Sequence, residues 1–472
     1  MLNMDSDHKK THLYMEVYQY YKDLILEKKL LPGSKMPSLR KSSQELRLSR
    51  TTIETAYLQL AADGYIIAKA QSGYYVTDTA HRAPAPKPEE HPLRPPVRYD
   101  FASSGVDRES FRFDLWSRYM KSALRQEERL LTYGEAQGEA DFREALSDYV
   151  RIRRNILCSP QDIVVGASVQ SLLQILCPLI VESGPFYRPL KYYVSHEGAI
   201  RTRDLCVSFP DPSFLQGITV FQDYGFQINY RSKDSDVIYV SPAHMTKWGE
   251  IMPVSRRLEL LGYAKEHSSL VIEDDFENEL VYLQKPTPSL YGLAGGESVV
   301  YIGSFSRLLL PSIRISFMVL PPTLARFYKK KAASYNQTAS KAEQIALCQF
   351  IRDGHLAAQL RKLRRLYGSK QKELRQTILS VFGQEGELLA GDAGTRLALT
   401  LPYEGSLEAL TELAREKGLR IHGKKTDSHS VTLLLSCSSI PSQDLLPACL
   451  LLKEILEQAR RDVRPGSGDE TP

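Results

Sequence analysis

The spacing of apolar residues divides the chain into a short helical part and a longer part in which strands and helices alternate. From residue 13 to residue 29, apolar residues recur every three or four positions, which predicts an amphipathic helix. Its predicted buried face carries Leu13, Val17, Tyr20, Leu24 and Ile25. The helix ends at Leu31-Pro32-Gly33, because proline and glycine do not continue a helix.

Two more helices and a hairpin follow in the pattern. A short helix is predicted from Ser38 to Leu46 and a longer one from Arg50 to Asp63, with Ser49 as the N-cap of the longer helix. Two short strands on either side of Gln71-Ser72-Gly73 predict a β-wing. The predicted buried stripe of the longer helix consists of Ile53, Ala56, Tyr57 and Leu60.

This order of elements is that of a winged helix-turn-helix, in which the start of the second helix of the turn enters a major groove. Arginine there binds phosphate or reads guanine. Residues 1–78 hold 11 Lys/Arg and 9 Asp/Glu, so their net charge is small. A surface that binds nucleic acid must therefore come from a local cluster of basic residues. A small helical domain used for protein contacts remains the alternative. The residues expected to form the footprint are Lys35, Arg40, Lys41, Arg47 and Arg50.

Beyond about residue 99, short β-branched strands alternate with helical patterns, notably over residues 169–180 and 339–383. This alternation predicts an α/β fold with a mostly parallel, doubly wound sheet, whose ligand site lies outside the carboxyl ends of the strands. The strands on which the prediction rests are Asp162–Val165, Val237–Val240, Leu270–Ile272 and Val299–Ile302.

Composition sets the domain boundaries and excludes some classes of protein. A chain of 472 residues predicts more than one domain, and the proline-rich residues 79–98 form the expected linker. We therefore predict a DNA-binding domain over 1–78, a large domain over 99–462 and a disordered tail over 463–472. The sequence has no apolar run of membrane-spanning length, no apolar signal segment and no metal-ligand spacing among six scattered cysteines. A cytoplasmic protein without a metal site is expected.

Several strings in the N-terminal region occur together in a known arrangement. They are Leu31-Pro-Gly-Ser-Lys-Met-Pro37-Ser-Leu-Arg40, Leu48-Ser49-Arg50-Thr-Thr-Ile53, Ala56-Tyr57, Leu60, Gly64-Tyr65 and Ser72-Gly73-Tyr-Tyr-Val76. Together they resemble the GntR-type winged helix over its whole length. The resemblance implies contacts to double-stranded DNA by Arg40, Arg50 and the wing residue Gly73. Thr51 and Thr52, beside Arg50 at the helix start, are expected to join them.

Longer strings in the rest of the chain form a second resemblance. They are Thr132-Tyr133-Gly134-Glu-Ala-Gln-Gly138, Phe142-Arg143-Glu-Ala-Leu, Pro253-Val-Ser-Arg-Arg257-Leu, Ile272-Glu273-Asp274-Asp275, Tyr301-Ile-Gly303-Ser-Phe-Ser306, Pro311-Ser-Ile-Arg314, Glu343-Gln344-Ile-Ala-Leu and Leu360-Arg361-Lys-Leu-Arg364-Arg-Leu-Tyr367. They resemble the aminotransferase-like half of MocR/GabR-type regulators. The resemblance implies a fold type I aminotransferase domain with a small C-terminal α+β subdomain, a homodimer and a pocket for pyridoxal 5'-phosphate.

The chemistry of that cofactor defines which residues the pocket needs. By resemblance, Asp274 would face the ring nitrogen, Phe276 would lie beside the ring, and a second group would hold the phosphate. That second group consists of Ser304, Ser306 and Arg314.

Other positions of the pocket depart from the family. The family's Schiff-base lysine corresponds to Arg307, whose guanidinium stays protonated and cannot act as an amine nucleophile. Arg307 is expected to pair with Asp274, or to bind an anion together with Arg314, while Lys247 is a weak surrogate for the lysine. The strand over residues 431–436 lacks the family's carboxylate-binding arginine. The remaining departures are Phe276 for a tyrosine, Met245 for an amide, Ala199 for the stacking tyrosine and Ala167 for a glycine.

The sequence therefore predicts a homodimeric transcriptional regulator whose large domain senses a small-molecule effector and is catalytically inactive. No covalent cofactor is expected, and noncovalent binding of a pyridoxal compound remains open. The alternative is a pyridoxal-phosphate-dependent aminotransferase with a DNA-binding arm, which the missing lysine disfavours. An interaction protein that binds neither DNA nor cofactor is disfavoured by the helix-turn-helix pattern.

Overall fold

The computed structural model divides the chain into two compact units, Met1–Arg94 and Pro95–Pro472. Most of the predicted linker and the predicted tail lie outside the described residues, so the domain boundaries stay predictions. The described residues are 13–70, 72–77, 96–103, 105–183, 193–194, 200–201, 205–232, 234–275, 277–281, 287–391 and 393–463.

The smaller unit is a three-helix domain with a hairpin. Its strands pair antiparallel, with Ile66 opposite Val76 and Lys69 opposite Gly73. Its elements are α1 (Leu13–Leu26), α2 (Leu39–Leu46), α3 (Arg50–Ala62), β1 (Ile66–Lys69) and β2 (Gly73–Val76).

The buried stripe predicted for α3 is confirmed, because Ile53, Ala56, Tyr57 and Leu60 are all fully buried. The face predicted for α1 is partly wrong: Leu13 and Tyr20 are exposed. Tyr18 and Tyr21 are buried with Val17 and Ile25 in their place. The α1 helix also ends three residues earlier than predicted, at Leu26.

A hydrogen-bonded chain of hydroxyl groups explains this rotation of α1. Tyr21 donates to Ser42 Oγ of α2 at 2.9 Å, and Ser42 lies 2.9 Å from the hydroxyl of Tyr57 on α3. The buried hydroxyls satisfy one another only when α1 turns Tyr21 inward. Apolar spacing alone does not distinguish Tyr20 from Tyr21.

In the part of the larger unit that the structure describes, two sheets have more than two strands. Its strands are β3 (Tyr99–Asp100), β4 (Ile163–Gly166), β5 (Tyr193–Val194), β6 (Ile200–Arg201), β7 (Cys206–Phe209), β8 (Gln227–Tyr230), β9 (Val237–Val240), β10 (Leu270–Asp274), β11 (Val299–Ser304), β12 (Ser316–Val319), β13 (Glu387–Leu389), β14 (Arg396–Pro402), β15 (Leu419–Arg420), β16 (Gly423–Lys425) and β17 (Ser430–Ser436). Its helices are α4 (Phe113–Leu124), α5 (Glu127–Leu130), α6 (Ala140–Arg154), α7 (Val169–Ser183), α8 (Leu215–Asp223), α9 (Val254–His267), α10 (Leu290–Leu293), α11 (Pro322–Lys331), α12 (Lys341–Arg352), α13 (His355–Phe382), α14 (Leu407–Glu416) and α15 (Leu445–Val463).

The main sheet has the order β4-β12-β11-β10-β9-β7-β8 over the described residues. Only β12 runs antiparallel to its neighbours, β11 and β4, so the predicted mostly parallel sheet is confirmed. Both faces are covered by apolar residues. Along β11, Val299 and Tyr301 belong to one buried cluster, and Val300 and Ile302 belong to the other. Strands that are buried on both faces have continuous apolar sequences, and β11 shows this pattern.

A smaller antiparallel sheet, in the order β13-β14-β17-β16, packs against α14 and α15 and forms the predicted C-terminal subdomain. The long α13 connects the two parts, since Leu360 lies in the core of the main sheet and Leu374 lies in that of the subdomain. The predicted helical stretch 339–383 is interrupted at Gly354, whose φ of +77° favours glycine. Within the described part of the chain, no helix combines the length and the apolar character needed to cross a membrane.

Candidate functional site

The start of α3 presents the basic residues predicted to contact DNA. Arg40 on α2 and Arg50 at the first position of α3 are exposed, and so is Thr51. Among the described residues, neither arginine has a carboxylate within ion-pair distance. Both guanidinium groups are therefore available to a phosphate or to a base edge.

Thr52 and Gly73 hold more structural positions. Thr52 is half-buried, and its backbone N–H donates to Ser49 Oγ at 3.2 Å, which confirms Ser49 as the N-cap. The Thr52 hydroxyl also lies 2.8 Å from Ser49 Oγ. Gly73 is exposed at the start of β2 with a φ of +100°, a conformation that residues with a side chain rarely adopt. It fixes the turn of the wing.

A cavity of about 570 Å³ opens at the carboxyl ends of the parallel strands of the main sheet. Asp274 ends β10, Ser304 ends β11, and Ser241 follows β9. Phe276 and Ala199 lie outside the described residues. Ala167 is not among the residues that line the cavity, whereas the other residues predicted for the pocket do line it: Asp274, Ser304, Ser306, Arg307 and Arg314, together with Met245 and Lys247.

Asp274 accepts a hydrogen bond from the hydroxyl of Tyr239 at 2.6 Å. Burial raises the pKa of Tyr239 well above its ordinary value and Asp274 raises it further, so the hydroxyl remains a donor. The rings of Phe209 and Phe214 lie 5.0 and 5.4 Å from that of Tyr239 and line the same cavity. Asp274 is thus a carboxylate at the cavity wall that accepts a hydrogen bond from a buried donor.

The serines and Arg314 form a polar group on β11 and the loop that follows it. Ser304 Oγ accepts from the hydroxyl of Ser316 at 3.1 Å and from the backbone N–H of Ser306 at 3.4 Å. Arg314 is exposed and forms no ion pair with any described residue. This group has the donors that an oxyanion requires.

Arg307 forms an ion pair inside the cavity. Its Nη1 atom lies 3.3 Å from Glu277 Oε1, and the two side chains are 16% and 5% exposed. His244 Nε2 lies 3.8 Å from the other carboxylate oxygen of Glu277. Burial lowers the pKa of His244, and Glu277 only partly opposes this effect. Among the described residues, Arg307 therefore pairs with Glu277, a residue that the sequence did not mark as part of the site.

Thr395 and Arg396 also line the cavity, at the start of β14, although the sequence did not mark them as site residues. Residue 396 pairs with Ser436 of β17, the strand in which the family's arginine is missing. Burial lowers the pKa of Arg396, and the charge of Arg307 lowers it further. In the sequence, Arg396 is simply an arginine at the first position of an alternating apolar strand. Such a residue ordinarily indicates a strand end that faces solvent, so it did not suggest a ligand site.

The two residues just before α7, where family resemblance places a phosphate loop, have backbone amides that already donate within the chain. The backbone N–H of Ala167 donates to Thr338 Oγ1 at 2.9 Å, and that of Ser168 donates to Ser171 Oγ at 3.0 Å. These amides do not need an external oxyanion.

Taken together, the residues fit pyridoxal phosphate only in part. Asp274 suits the ring nitrogen, and the group of Ser304, Ser306 and Arg314 suits a phosphate. Arg307 does not suit covalent attachment, because a guanidinium supplies no neutral amine. The amides of Ala167 and Ser168, just before α7, do not suit the phosphate either, since both already have partners.

Comparisons with known proteins agree with both units. Residues 13–76 match the family described as bacterial regulatory proteins, gntR family. Residues 110–391 match aminotransferase class I and II. An archaeal alanine:glyoxylate aminotransferase has the same fold as the larger unit, with a TM-score of 0.64 at 17% identity over 76% of this chain and 91% of that one.

Two curated relatives match nearly the whole length. The HTH-type transcriptional regulator YdeL of Bacillus subtilis (strain 168) is 30% identical over 87% of this chain and 88% of its own. The probable rhizopine catabolism regulatory protein MocR of Rhizobium meliloti is 28% identical over 79% of this chain and 78% of its own. The chain therefore belongs to the MocR-type family of helix-turn-helix transcriptional regulators, in which a gntR-family winged helix is joined to an aminotransferase class I and II domain.

Proposed function

We propose that this protein is a homodimeric, DNA-binding transcriptional regulator whose aminotransferase-like domain senses a small-molecule effector and catalyses no transamination. The observation that carries the proposal is Arg307, which lies in the cavity paired with Glu277 at the position that family resemblance gives to the Schiff-base lysine. A protein that regulates transcription in this way works in the cytoplasm.

The DNA-binding part of the proposal rests on the exposed start of α3. Arg50 and Thr51 would reach base edges or phosphates, Arg40 would hold a neighbouring phosphate, and Gly73 would let the wing approach the backbone. Thr52 would contribute through its N–H and hydroxyl, which now cap the helix with Ser49.

The homodimer is supported by apolar surface on the larger unit. Leu131 is 87% exposed and Tyr133 is 102% exposed, in the loop that precedes α6. Large apolar side chains exposed side by side mark interaction surfaces. A dimer would also place two winged helices on two half-sites of one operator. Light scattering on the full chain is expected to give twice the mass of 53.4 kDa.

The DNA-binding proposal is tested with the double variant R40A/R50A. Wild-type protein should shift a DNA fragment from the region flanking its own gene, and the double variant should lose most of that affinity. The control is Lys29→Ala, an exposed residue after α1 whose partner is Glu27. If the double variant, the control and wild type bind the fragment equally, Arg40 and Arg50 do not contact DNA.

The absence of covalent catalysis is tested by borohydride reduction in the presence of pyridoxal phosphate, followed by mass spectrometry. No adduct and no turnover with amino acids are expected. R307K should not restore turnover, because Met245 lacks the amide of the family and groups that act together do not return one at a time.

An adduct on wild type that disappears in Lys247→Met would identify Lys247, which lines the cavity, as the reactive amine. That result, or turnover by R307K, would instead favour the aminotransferase with a DNA-binding arm.

A further inference from the structure

We propose that the cavity of the larger unit binds a small carboxylate noncovalently, with Thr395 and Arg396 at the start of β14 as its anion subsite and Arg307 completing it. This inference rests on the proposed function to the extent that the cavity is a ligand site in which Arg307 forms no covalent bond.

Thr395 provides the first observation. Its side chain is 3% exposed and lines the cavity, and its Oγ1 atom has no hydrogen-bond partner among the described residues. A buried hydroxyl without a partner is unfavourable relative to one that is hydrogen-bonded. A ligand oxygen in the cavity would satisfy this donor.

Charge balance provides the second observation. The guanidinium of Arg396 forms no hydrogen bond or ion pair with any described residue, and the carboxylate of Glu277, which pairs with Arg307, also lies 3.8 Å from His244. Among the described residues that line the cavity, four cationic side chains (Lys247, Arg307, Arg314 and Arg396) thus stand against three carboxylates (Asp211, Asp274 and Glu277). Burial lowers the pKa of Arg396, and the repulsion between Arg396 and Arg307 lowers it further. An added anion would remove this imbalance.

The geometry of the donors favours a carboxylate. The planar guanidinium of Arg396 offers two parallel N–H donors to a pair of oxygens, and the adjacent Thr395 hydroxyl adds a third donor. Oxyanions with more oxygens find further donors in the separate group formed by Ser304, Ser306 and Arg314. The cavity of about 570 Å³ has room for a ligand larger than the acid group alone.

The test is isothermal titration calorimetry of the full-length protein with succinate, at constant ionic strength. Uncharged succinamide is the matched ligand control, and inorganic phosphate is the probe for the alternative oxyanion. Succinate should bind and succinamide should not. R396Q should weaken succinate about 10- to 100-fold, because it removes charge-assisted hydrogen bonds.

Two further variants keep the result interpretable. T395V should weaken succinate by about 3- to 10-fold, as expected when a neutral donor is lost. R396K retains the charge but not the paired donors, and its affinity should fall between those of wild type and R396Q. Arg375→Gln, which removes an exposed arginine of α13, should bind succinate as wild type does.

Three outcomes would overturn the inference. They are equal succinate affinity in R396Q and wild type, equal affinity for succinate and succinamide, and inorganic phosphate binding that depends on Arg396 while succinate fails to bind. The circular dichroism spectrum and thermal unfolding of R396Q, compared with those of wild type, report whether the variant is folded. Loss of DNA binding by wild type, or a borohydride adduct, would count against the proposed function and leave the calorimetric result intact.

Discussion

The start of α3 and the cavity of the larger unit both depend on arginine, but they place its charge in opposite surroundings. Arg40 and Arg50 are exposed and lack carboxylate partners among the described residues. Arg307 is largely buried and ion-paired, and Arg396 is partly buried beside it. An exposed guanidinium costs the fold little and is available to a polyanion. A buried one must be compensated by the fold or by a ligand.

The region behind the cavity extends this contrast. Arg154 and Asp275 are 3% and 5% exposed, and their closest atoms lie 2.7 Å apart. Tyr301 also donates its hydroxyl to Asp275. This network fixes the segment that follows β10 and therefore positions Asp274 and Glu277 at the cavity. Substitutions here should act mainly on stability, whereas those on α3 should act mainly on binding.

The largest expected effect is that of Asp275→Asn. It would leave the buried Arg154 guanidinium without its charge partner, which typically destabilises a protein by about 3–5 kcal/mol. Urea unfolding monitored by circular dichroism measures the change. The control is Asp148→Asn, whose partner Arg151 is exposed, with an expected change within about 0.5 kcal/mol. If the two variants unfold alike, the contrast between buried and exposed pairs is wrong for this protein.

The next effect is a dependence of stability on pH through Glu273. Burial, together with the charge of Asp275, raises the pKa of this carboxyl to about 7, against the lowering effect of Arg154 and of the N–H donors of Leu290 and Tyr291. The folded state therefore binds the proton more tightly than the unfolded state does. The stabilisation is complete below the unfolded pKa and is lost as pH rises through the folded one.

Glu273→Gln removes this titration. The difference in unfolding free energy between wild type and the variant should fall by about 1–3 kcal/mol as the pH rises from about 4.5 to about 7. Thermal or urea unfolding at several pH values measures this difference, with the exposed Glu259→Gln as control. A flat difference across that range would mean that Glu273 is already ionised in the folded protein.

Single variants on the DNA-binding surface should separate base contacts from phosphate contacts. Arg50→Ala should weaken operator binding by about 1–3 kcal/mol if the arginine reads a base. If Arg40 binds a phosphate, Arg40→Ala should reduce the slope of log affinity against log salt concentration by about one. Fluorescence anisotropy at several salt concentrations measures both. Neither change should alter unfolding by more than about 0.5 kcal/mol, and a larger loss of stability would contradict the exposed placement.

The smallest effect concerns the cap of α3. Ser49→Ala removes the acceptor of the Thr52 N–H and should destabilise the winged helix by about 0.5–2 kcal/mol. Thr55→Ala on the same helix removes only an exposed hydroxyl bond to the carbonyl of Thr51 and serves as control. Comparable unfolding of the two variants would show that the cap is not needed.

Periodicity and caps were sufficient to predict the winged helix, because its contacts are local. The stripe of α3 and the cap at Ser49 were found from spacing and residue type. The inward turn of Tyr21 was not, because it depends on Ser42, which is 21 residues away in the sequence.

The alternation of strands and helices by itself determined the mostly parallel sheet, and the rule for such sheets located the ligand site at the carboxyl ends, where Asp274 and Ser304 lie. That Arg307 stands at the position of the family's Schiff-base lysine is a prediction from the resemblance of the sequence, and it stays a prediction.

Only the tertiary structure determined the partners of these groups. Glu277 lies 30 residues before Arg307 in the sequence, and Arg396 lies 89 residues after it, yet all three line one cavity. The physical reason is that strand order and the pairing of β14 with β17 bring distant segments together. Local periodicity carries no information about which charges will meet there.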